Sequence, residues 1–553
     1  MVGMESMSKI AQYLNEHILG EITGSKSIRQ RFSRDGSVLT IMPELVMFPR
    51  VTNDIRKAAR FSWQLAEKGH TLPLTVRGYG SDPTGAAIGK GLIINTTAHL
   101  NNIIHIGLKE KEHTVHVQPG VNFKELNDIL NWHGLYVPTY PESAAYSTIG
   151  GAVANNSGGQ LSGRAGLTGN WVGRLEVVLA NGDIIETGRL SKKEFSKKRG
   201  LQTFEGEIYR KIDGLIEDNQ ELINEKLHET NKDNSGYARI NDVRHRDGSF
   251  DLTPLIVGSQ GTLGIISEIV LKTDFLSANR TVLVAVVGSS EAARDATDLL
   301  RALEPSSLET IDGAIFKTAA ERGKQYAFMK LDKVDIATGA LIYMQLTDFN
   351  NRARTRKLKK AIKTLQKFNP TILTSDEYSY EELDAMREVM SNVIATDSDN
   401  ESYPPLIDGV YIPSNRFEEF SMAVNNLAEK HHITLPLHRR VLDGIVNTRT
   451  SLQLDKVSDK QKIFKLINDY SQLVDKLGGT FIADAGEGRL KASASYALMD
   501  ENLQNLYQQI RVVFDPYGTL NPGVKQPSDV RTMVAALRSS YDQSDFALYS
   551  PRG

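Results

Sequence analysis

The sequence predicts an α+β protein with more than one lobe. Its 553 residues exceed what one hydrophobic core organises, and the length suits two or three large lobes or three to four domain-sized units. From about residue 40 to 275, short strands alternate with glycine-rich turns. From about residue 276, apolar strands precede helices, which predicts one sheet with helices on one face.

The composition is that of an ordinary soluble globular protein. The chain has 65 basic and 67 acidic residues, so no overall field favours nucleic acid as a partner. It has no cysteine, which excludes disulfides, iron–sulfur clusters and thiolate zinc sites, and a redox function would need an organic cofactor. The N-terminus lacks the pattern of a signal peptide, and no apolar run approaches the ~20 residues of a membrane-spanning helix. We therefore expect a cytoplasmic protein and leave peripheral membrane attachment open.

The first half of the sequence predicts a short helix over 8–20, followed by strands and a few helices. TVHVQ (114–118) has the period of a half-buried strand. A helix is predicted from Asn122, a plausible N-cap, to His133, with Gly134 as its stop. Asn181-Gly182 between apolar runs predicts a hairpin with a type I′ turn.

The second half is predicted to repeat strand-then-helix units. Strands at 281–288 and 338–348 precede helices at about 290–304 and 351–368, and GVYIP (409–413) precedes a helix capped by Ser414. The basic stretch 351–367 has a narrow apolar stripe, so it is either a solvated helix face, which we favour, or a helix lying on an anionic membrane. The last 25 or so residues are expected to be loosely held.

Three glycine-rich turns are the strongest functional signal: RGYGSDPTG (77–85), STIGGAVANNSGG (147–159) and GSQGTLGI (258–265). Glycine lets two backbones, or a backbone and a diphosphate, approach closely, because it has no Cβ and visits positive φ. Successive amides of such turns can form a nest for a diphosphate. Each turn alone also fits a tight turn or close helix–sheet packing.

In this order and spacing the turns resemble the motifs RGGGTSLTG, STIGGxxATNAGG and GSEGTLGI of the FAD-linked oxidases, the D-lactate dehydrogenase and glycolate oxidase group within the vanillyl-alcohol-oxidase-type flavoproteins. PGV (119–121) and LNPG (520–523) extend the resemblance. It implies an α+β fold: a two-subdomain FAD-binding (PCMH-type) domain and an α+β cap domain with an antiparallel sheet covered by helices. The implied division is an N-terminal helical segment (1–39), the FAD domain (40–275), the cap (276–500), a segment returning to the FAD domain (501–527) and a tail (528–553).

The resemblance implies FAD as cofactor and assigns a set of residues to it. These are Arg77, Gly78, Tyr79, Gly80, Ser81, Asp82, Pro141, Ser143, Thr148, Gly150, Gly151, Asn155, Gly158, Gly159, Gly261, Ile265 and Asn521. Tyr79 and Asp82 depart from the family pattern, and the Asp82 carboxylate is expected to turn outward or cap a turn. No histidine lies between Arg77 and Thr84, where relatives with covalent flavin carry one, so we expect non-covalent FAD.

The substrate half departs further from the family. Arg387 stands where relatives hold the substrate carboxylate; the alternative is a helix-surface salt bridge with Glu388 or Asp384. Relatives carry HxGDGNLH and GGxxxxEHGxG, which bind a metal and accept a proton; here Arg440 and Asn447 replace the histidines of the first motif. In the second motif, Asp484 and Ala485 replace the glutamate and histidine. We therefore expect no metal site, with His438 as a weaker alternative ligand.

The charged groups expected near the flavin are Arg387, Arg440, Asp484, Glu487, Arg489 and Lys491. Of these we assign Arg387, Arg440, Asp484 and Lys491 to catalysis, with Asp484 as a base if burial raises its pKa. The expected function is a metal-independent, FAD-dependent oxidoreductase that transfers hydride from a small hydroxylated, anionic substrate to flavin N5, with an unidentified electron acceptor. The alternative is an accessory FAD-binding subunit of a multi-subunit oxidase; homo-oligomerisation also stays open.

Overall fold

The computed structural model describes residues 2–108, 113–227, 232–277, 279–331, 339–394 and 401–541. It contains three main sheets, and its mixture of helices with parallel and antiparallel strands confirms the predicted α+β class. Among the described residues, no helix is both long and apolar enough to cross a bilayer.

The first sheet is small and mostly parallel. Its strands are β1 (Glu21–Thr23), β2 (Leu45–Phe48), β3 (Leu74–Arg77) and β4 (Leu92–Asn95), in the order β1-β2-β4-β3. Helices α1 (Val2–Asn15), α2 (Lys26–Arg31) and α3 (Thr52–Glu67) accompany it. Strands β2 and β3 both run parallel to β4, so the carboxyl ends of all three lie at the same edge.

The second sheet is antiparallel, in the order β5-β6-β10-β8-β9. Its strands are β5 (Ile103–Gly107), β6 (Thr114–Val117), β8 (Val172–Val178), β9 (Ile184–Glu186) and β10 (Ile265–Lys272), while β7 (Leu135–Tyr136) pairs with β11 (Asp274–Phe275). The helices between these strands are α4 (Phe123–Asn131), α5 (Ile149–Asn155), α6 (Ser162–Ala165), α7 (Lys192–Arg199), α8 (Phe204–Asp218), α9 (Gln220–Lys226) and α10 (Thr253–Ile256). Asn122 caps α4 as predicted, its side chain accepting from the Glu125 amide.

The β8–β9 connection differs from the predicted type I′ turn. Gly182 has φ +84°, but Asn181 is not among the residues with positive φ. The Gly182 amide donates to the Leu179 carbonyl at 2.9 Å, which closes a turn one residue earlier than expected. The Asn181 side chain instead accepts from the Asp183 amide at 2.9 Å, and this local bond satisfies asparagine without a left-handed backbone.

The third sheet is antiparallel and seven-stranded, in the order β15-β12-β14-β13-β17-β18-β16. Its strands are β12 (Thr281–Val287), β13 (Ser307–Asp312), β14 (Ala340–Leu346), β15 (Thr371–Thr374), β16 (Val410–Tyr411), β17 (Leu437–Arg440) and β18 (Ile445–Thr448). Its helices are α11 (Ser290–Leu300), α12 (Gly313–Glu321), α13 (Asn351–Leu365), α14 (Tyr380–Arg387), α15 (Val389–Ile394), α16 (Phe417–His431), α17 (Val457–Lys476) and α18 (Ala492–Leu498). We call this unit the cap.

Helices cover both faces of the cap sheet, not one as expected. Val282 and Val284 of β12 pack with α12 and α14, whereas Leu283 and Ala285 pack with α11 and α13. A strand that is apolar at every position is buried on both sides. The apolar stripe of α13, including Leu358, packs against the sheet. Most of the basic residues of α13 lie on its outer face, whereas Arg354 is buried.

The C-terminal part of the chain returns to the first two sheets. Helix α19 (Glu501–Phe514) packs into the core of the second sheet, and Leu520 pairs with Leu74 of β3. Helix α20 (Val530–Ala535) follows. The expectation of a loosely held tail is wrong for 528–541, because Leu537 and Arg538 are buried and Leu537 pairs with Leu39. Residues 542–553 lie outside the described part.

Candidate active site

A cavity lies where the three glycine-rich turns meet the cap. From the first two sheets it is lined by residues of 76–87, 141–159 and 260–266. From the cap it is lined by residues of 405–409, 440–449 and 481–491. Turns that are far apart in sequence therefore share one cavity.

The first turn follows β3 and presents backbone donors to this cavity. The amides of Tyr79, Gly80 and Ser81 have no acceptor among the described residues, and all three residues line the cavity. Gly80 has φ +84°, and a Cβ there would lie 2.2 Å from Arg77 Nη2. Consecutive unpaired amides form the kind of nest that binds a diphosphate, so this turn fits FAD.

The Asp82 carboxylate caps the first turn, which confirms one of the two outcomes expected for it. It accepts from the amides of Thr84 at 3.0 Å and Ala86 at 2.8 Å, and from Asn155 Nδ2 at 3.1 Å. These bonds occupy its lone pairs with protein donors. Asp82 therefore joins the first glycine turn to the second.

The glycines of the second and third turns serve two purposes. At Gly150 a Cβ would lie 2.6 Å from Pro119, and at Gly159 it would lie 2.0 Å from the Tyr140 carbonyl oxygen, so both allow close packing. In contrast, a Cβ at Gly151 would meet only Thr148 Oγ1, at 3.2 Å, and one at Gly261 would meet nothing within 4 Å. Those two glycines present open backbone to the cavity, as a bound dinucleotide requires.

Gln260, which the sequence reasoning missed, connects the turns. Its Nε2 donates to Asn155 Oδ1 at 2.7 Å, and its Oε1 accepts from the Gly488 amide at 2.9 Å. Gln260 has φ +53°, and it sits where the family motif has glutamate. Its place inside an identified glycine motif was the only signal available.

The structure brings together sixteen of the seventeen residues assigned to FAD. Lining the cavity are Arg77, Gly78, Tyr79, Gly80, Ser81, Asp82, Pro141, Ser143, Thr148, Gly150, Gly151, Asn155, Gly158, Gly159, Gly261 and Ile265. Asn521 does not line it. Its Nδ2 donates to the carbonyls of Ala86 and Gln260, both at 2.8 Å, so it supports the turns from behind.

On the cap side, Arg440 and Asp484 form a two-pronged ion pair. Arg440 Nη1 and Nη2 lie 3.1 and 2.5 Å from the two Asp484 oxygens, and Nη2 lies 2.9 Å from Asp443. Burial raises the pKa of Asp484 above its ordinary value, and Arg440 opposes that shift only in part. Asn447 Oδ1 accepts from the Gly409 amide at 2.8 Å. In the described part of the chain, no three His, Asp or Glu side chains converge as metal ligands would.

Lys491 is the cap-side cation without a carboxylate partner. Its Nζ donates to the Asp408 carbonyl at 2.5 Å, and the described residues offer it no salt bridge. The side chain is only 5% exposed yet lines the cavity. Burial lowers the pKa of Lys491 to about 8, so a substantial fraction is neutral near physiological pH.

Arg387 lies behind the cavity wall rather than in it. Its Nε donates to Glu309 at 2.9 Å, and the other Glu309 oxygen lies 2.7 Å from His438 Nε2. Its Nη2 lies 3.6 Å from Glu142, which lines the cavity and was not singled out from the sequence. The alternative of a surface pair with Glu388 or Asp384 is wrong, since the guanidinium is buried.

The remaining charged candidates are bound into the protein interior. Glu487 pairs with Lys525 at 2.7 Å, with both side chains fully buried, and Arg489 donates to the carbonyls of Ile88 and Pro522. Neither lines the cavity. Arg449, which the sequence reasoning missed, does line it and pairs with Asp408 at 2.8 Å.

Two family models match the chain. The model described as FAD binding domain matches residues 43–188, and the model described as FAD linked oxidases, C-terminal domain, matches residues 276–524. The first covers two of the glycine turns, and the second covers the cap and the return of the chain to β3. Together they confirm FAD as the cofactor implied by the sequence.

Named relatives are similar to this protein over most of the chain. The D-2-hydroxyglutarate dehydrogenase of Pantoea ananatis is 26% identical over 546 residues, which is 95% of this chain and 52% of the relative. The glycolate oxidase subunit GlcD of Bacillus subtilis is 25% identical over 500 residues, covering 90% of this chain and 92% of the relative. The chain thus spans about half the length of the dehydrogenase it matches.

Solved structures share the fold. The 4-ethylphenol oxidase of Gulosibacter chungangensis has a TM-score of 0.67 at 13% identity, over 96% of this chain and 98% of that one. p-Cresol methylhydroxylase has a TM-score of 0.68 at 12% identity, over 95% and 97% of the two chains. These likenesses confirm the PCMH-type architecture. With both of its domains matched and its glycine turns gathered around one cavity, the chain belongs to the FAD-linked oxidases.

Proposed function

We propose that this chain is an FAD-dependent oxidoreductase that oxidises a small hydroxylated, anionic substrate without a metal ion. Its relatives include proteins named for 2-hydroxy acids, D-2-hydroxyglutarate and glycolate. The observation that carries the metal-independent part is the Arg440–Asp484 ion pair. It occupies the positions at which the family's motifs supply metal ligands, and a guanidinium there repels a divalent cation.

Oxidation of a 2-hydroxy acid removes two electrons as a hydride from carbon and a proton from the hydroxyl. When bound, FAD supplies a hydride acceptor at its N5 atom. The chain itself must bind the acid and accept the proton at a side chain within hydrogen-bond reach. Ala485 stands where the family has a proton-accepting histidine, so another cavity-lining group must do so.

Lys491 is the group best suited to accept this proton. Lys491 lines the cavity, its amine has no ion pair among the described residues, and its pKa of about 8 makes both protonation states accessible. Asp484 is less suited, because both of its oxygens accept from Arg440. We propose that Lys491 takes the hydroxyl proton, while Arg440 Nη1, which donates only to Asp484 among the described residues, offers its second N–H to the substrate carboxylate.

Anaerobic reduction of the bound flavin tests the proposal. The purified protein, dialysed against a chelator, is mixed with a panel of 2-hydroxy acids, and loss of flavin absorbance is followed. We expect at least one acid to bleach the flavin without added metal. If dithionite bleaches the flavin but no acid does, the proposed activity is refuted.

One observation favours a second function, that of a flavin-holding subunit. The chain matches nearly the whole of a relative named as an oxidase subunit, and it is half as long as the dehydrogenase it matches. Under this alternative, an acid bleaches the flavin only after a second chain is added. Co-purification of such a chain, with bleaching restored by mixing, would favour the subunit over the self-sufficient enzyme.

A further inference from the structure

Two stretches outside the matched family regions reach the cavity. The matches begin at residue 43 and end at residue 524, yet Gly36 and Tyr541 both line the cavity. We call residues 33–41 together with 528–541 the terminal strap. Nothing in the family motifs accounts for it, so its role must be inferred from its contacts.

The two parts of the terminal strap pair with each other. Leu39 and Leu537 form an antiparallel bridge, flanked by a bond from the Thr40 amide to the Ala536 carbonyl at 2.7 Å. The Arg538 guanidinium also donates to the carbonyls of Leu39, at 3.0 Å, and Asp35. Arg538 is 2% exposed, so these bonds are shielded from water. Residues 33–41 and 528–541 are therefore fixed to one another at this point.

The terminal strap is anchored on both sides of the cavity. On the cap side, Leu39 and Leu537 are buried in one apolar cluster with Phe420 of α16 and Tyr470 of α17. On the other side, the Gly36 amide donates to the Gly80 carbonyl at 2.8 Å. Gly80 belongs to the turn whose amides face the cavity. The strap thus connects the cap to the first glycine turn (77–85), which we call the diphosphate turn.

Tyr541 completes this connection at the cavity. Its hydroxyl donates to the Gly36 carbonyl at 2.8 Å, and Arg538 Cζ lies 5.6 Å from its ring centroid. Burial raises the pKa of the phenol, so the hydroxyl stays a donor across the physiological range. Tyr541 forms part of the cavity wall, which the diphosphate turn and the cap also line.

We propose that Tyr541 is a cofactor-site residue and that the terminal strap retains FAD by closing the cavity between the diphosphate turn and the cap. A dinucleotide held beneath the strap can leave only after the strap detaches from the cap or from Gly80. The rate of FAD release then reports strap opening. The proposal concerns cofactor retention and holds whether or not the chain oxidises a 2-hydroxy acid.

An engineered disulfide tests the strap directly, because the chain has no cysteine of its own. Leu39 and Leu537 are antiparallel bridge partners, a geometry within reach of a disulfide. In the Leu39→Cys/Leu537→Cys variant, the oxidised form should release FAD at least about tenfold more slowly than the reduced form. Release is followed by flavin fluorescence after dilution into an excess of an unrelated FAD-binding apoprotein, which traps the released cofactor. Equal rates in the two forms would overturn the role of the strap.

Substitutions at Tyr541 test the residue itself. Tyr541→Phe removes one hydrogen bond and should speed FAD release by about fivefold, and Tyr541→Ala should speed it further. Val457→Ala, an exposed position of α17 outside the strap, is the matched control and should leave the rate unchanged. Thermal unfolding of each apoprotein shows whether it folds. If folded Tyr541→Ala releases FAD at the wild-type rate, the assignment of Tyr541 is overturned. If that variant does not fold, the comparison of the oxidised and reduced double-cysteine variant still tests the strap.

Discussion

Replacing Lys491 tests the proton-accepting role assigned to it. With a pKa of about 8, the neutral amine is about 1% of the total at pH 6, about 9% at pH 7 and about 90% at pH 9. If the neutral amine takes the proton, kcat/KM for flavin reduction should rise about 90-fold from pH 6 to pH 9 and level off above pH 8. An anionic substrate stabilises the ammonium form, so the rate at saturating substrate should titrate at higher pH than kcat/KM.

The Lys491→Met variant should lose this behaviour. Removing a general base costs about 10²- to 10⁴-fold in rate, and the remaining activity should not rise around pH 8. Lys491→Arg keeps the charge but cannot give up its proton, so it should be as slow as the methionine variant. Lys465→Met, an exposed lysine of α17, is the control and should react at the wild-type rate. Rapid-mixing anaerobic spectroscopy of the flavin measures all four proteins.

The effect of Lys491→Met on the stability of the fold distinguishes a catalytic role of Lys491 from a structural one. The folded pKa of Lys491 lies below its unfolded value of 10.5, so the unfolded chain binds more protons between pH 8 and 10.5 and stability rises with pH there. At pH 7 the lowered pKa corresponds to about 3 kcal/mol of lost stability. Lys491→Met should therefore unfold at higher urea concentration than wild type. If Lys491→Met reduces the flavin at the wild-type rate, with the same rise with pH, the proton-accepting role of Lys491 is refuted.

Three further predictions concern the metal, the buried charges and the glycine turn. Dialysis against a chelator should leave the reduction rate unchanged, and recovery of a lost rate by Zn²⁺ or Mn²⁺ would contradict this. Glu309→Gln should destabilise the fold by about 3–5 kcal/mol in urea unfolding, because it leaves the Arg387 guanidinium and a histidine without their buried carboxylate; an unchanged midpoint would argue against the network. Gly80→Ala should weaken FAD binding at least about tenfold in a titration, since φ is +84° and a Cβ would lie 2.2 Å from the Arg77 guanidinium. Gly134→Ala, at φ +70° in open space, is the control for backbone strain alone and should leave FAD affinity unchanged.

The glycine turns were predictable because their requirements are local. Gly80 and Gly261 need positive φ, and only glycine adopts it without cost, so the sequence records the need directly. The spacing of the turns then matched that of one family, and the structure gathered them at one cavity. The same local logic identified the Asn122 cap and the apolar run of β12.

Pairing partners of charged side chains were not predictable, because they come from distant parts of the chain. Arg387 pairs with Glu309, 78 residues away, so a helix motif alone could not show that it lies behind the cavity wall. The buried hydrogen bonds of Asn521 likewise depend on β3 and on the third turn. In each case the sequence identified a residue worth attention, but its contacts decide its role.

The sequence by itself determined that this chain binds FAD in a PCMH-type domain and that the family's histidines are missing. The first conclusion follows from the resemblance of the glycine motifs to those of the family, and the second from the residues that stand at its histidine positions. The tertiary structure alone decided that Lys491 has no carboxylate partner among the described residues, and that Gly36 and Tyr541 meet at the cavity. The burial of a side chain and its contacts with distant residues determine its pKa and its position. The neighbouring residues in the sequence do not show this burial or these contacts.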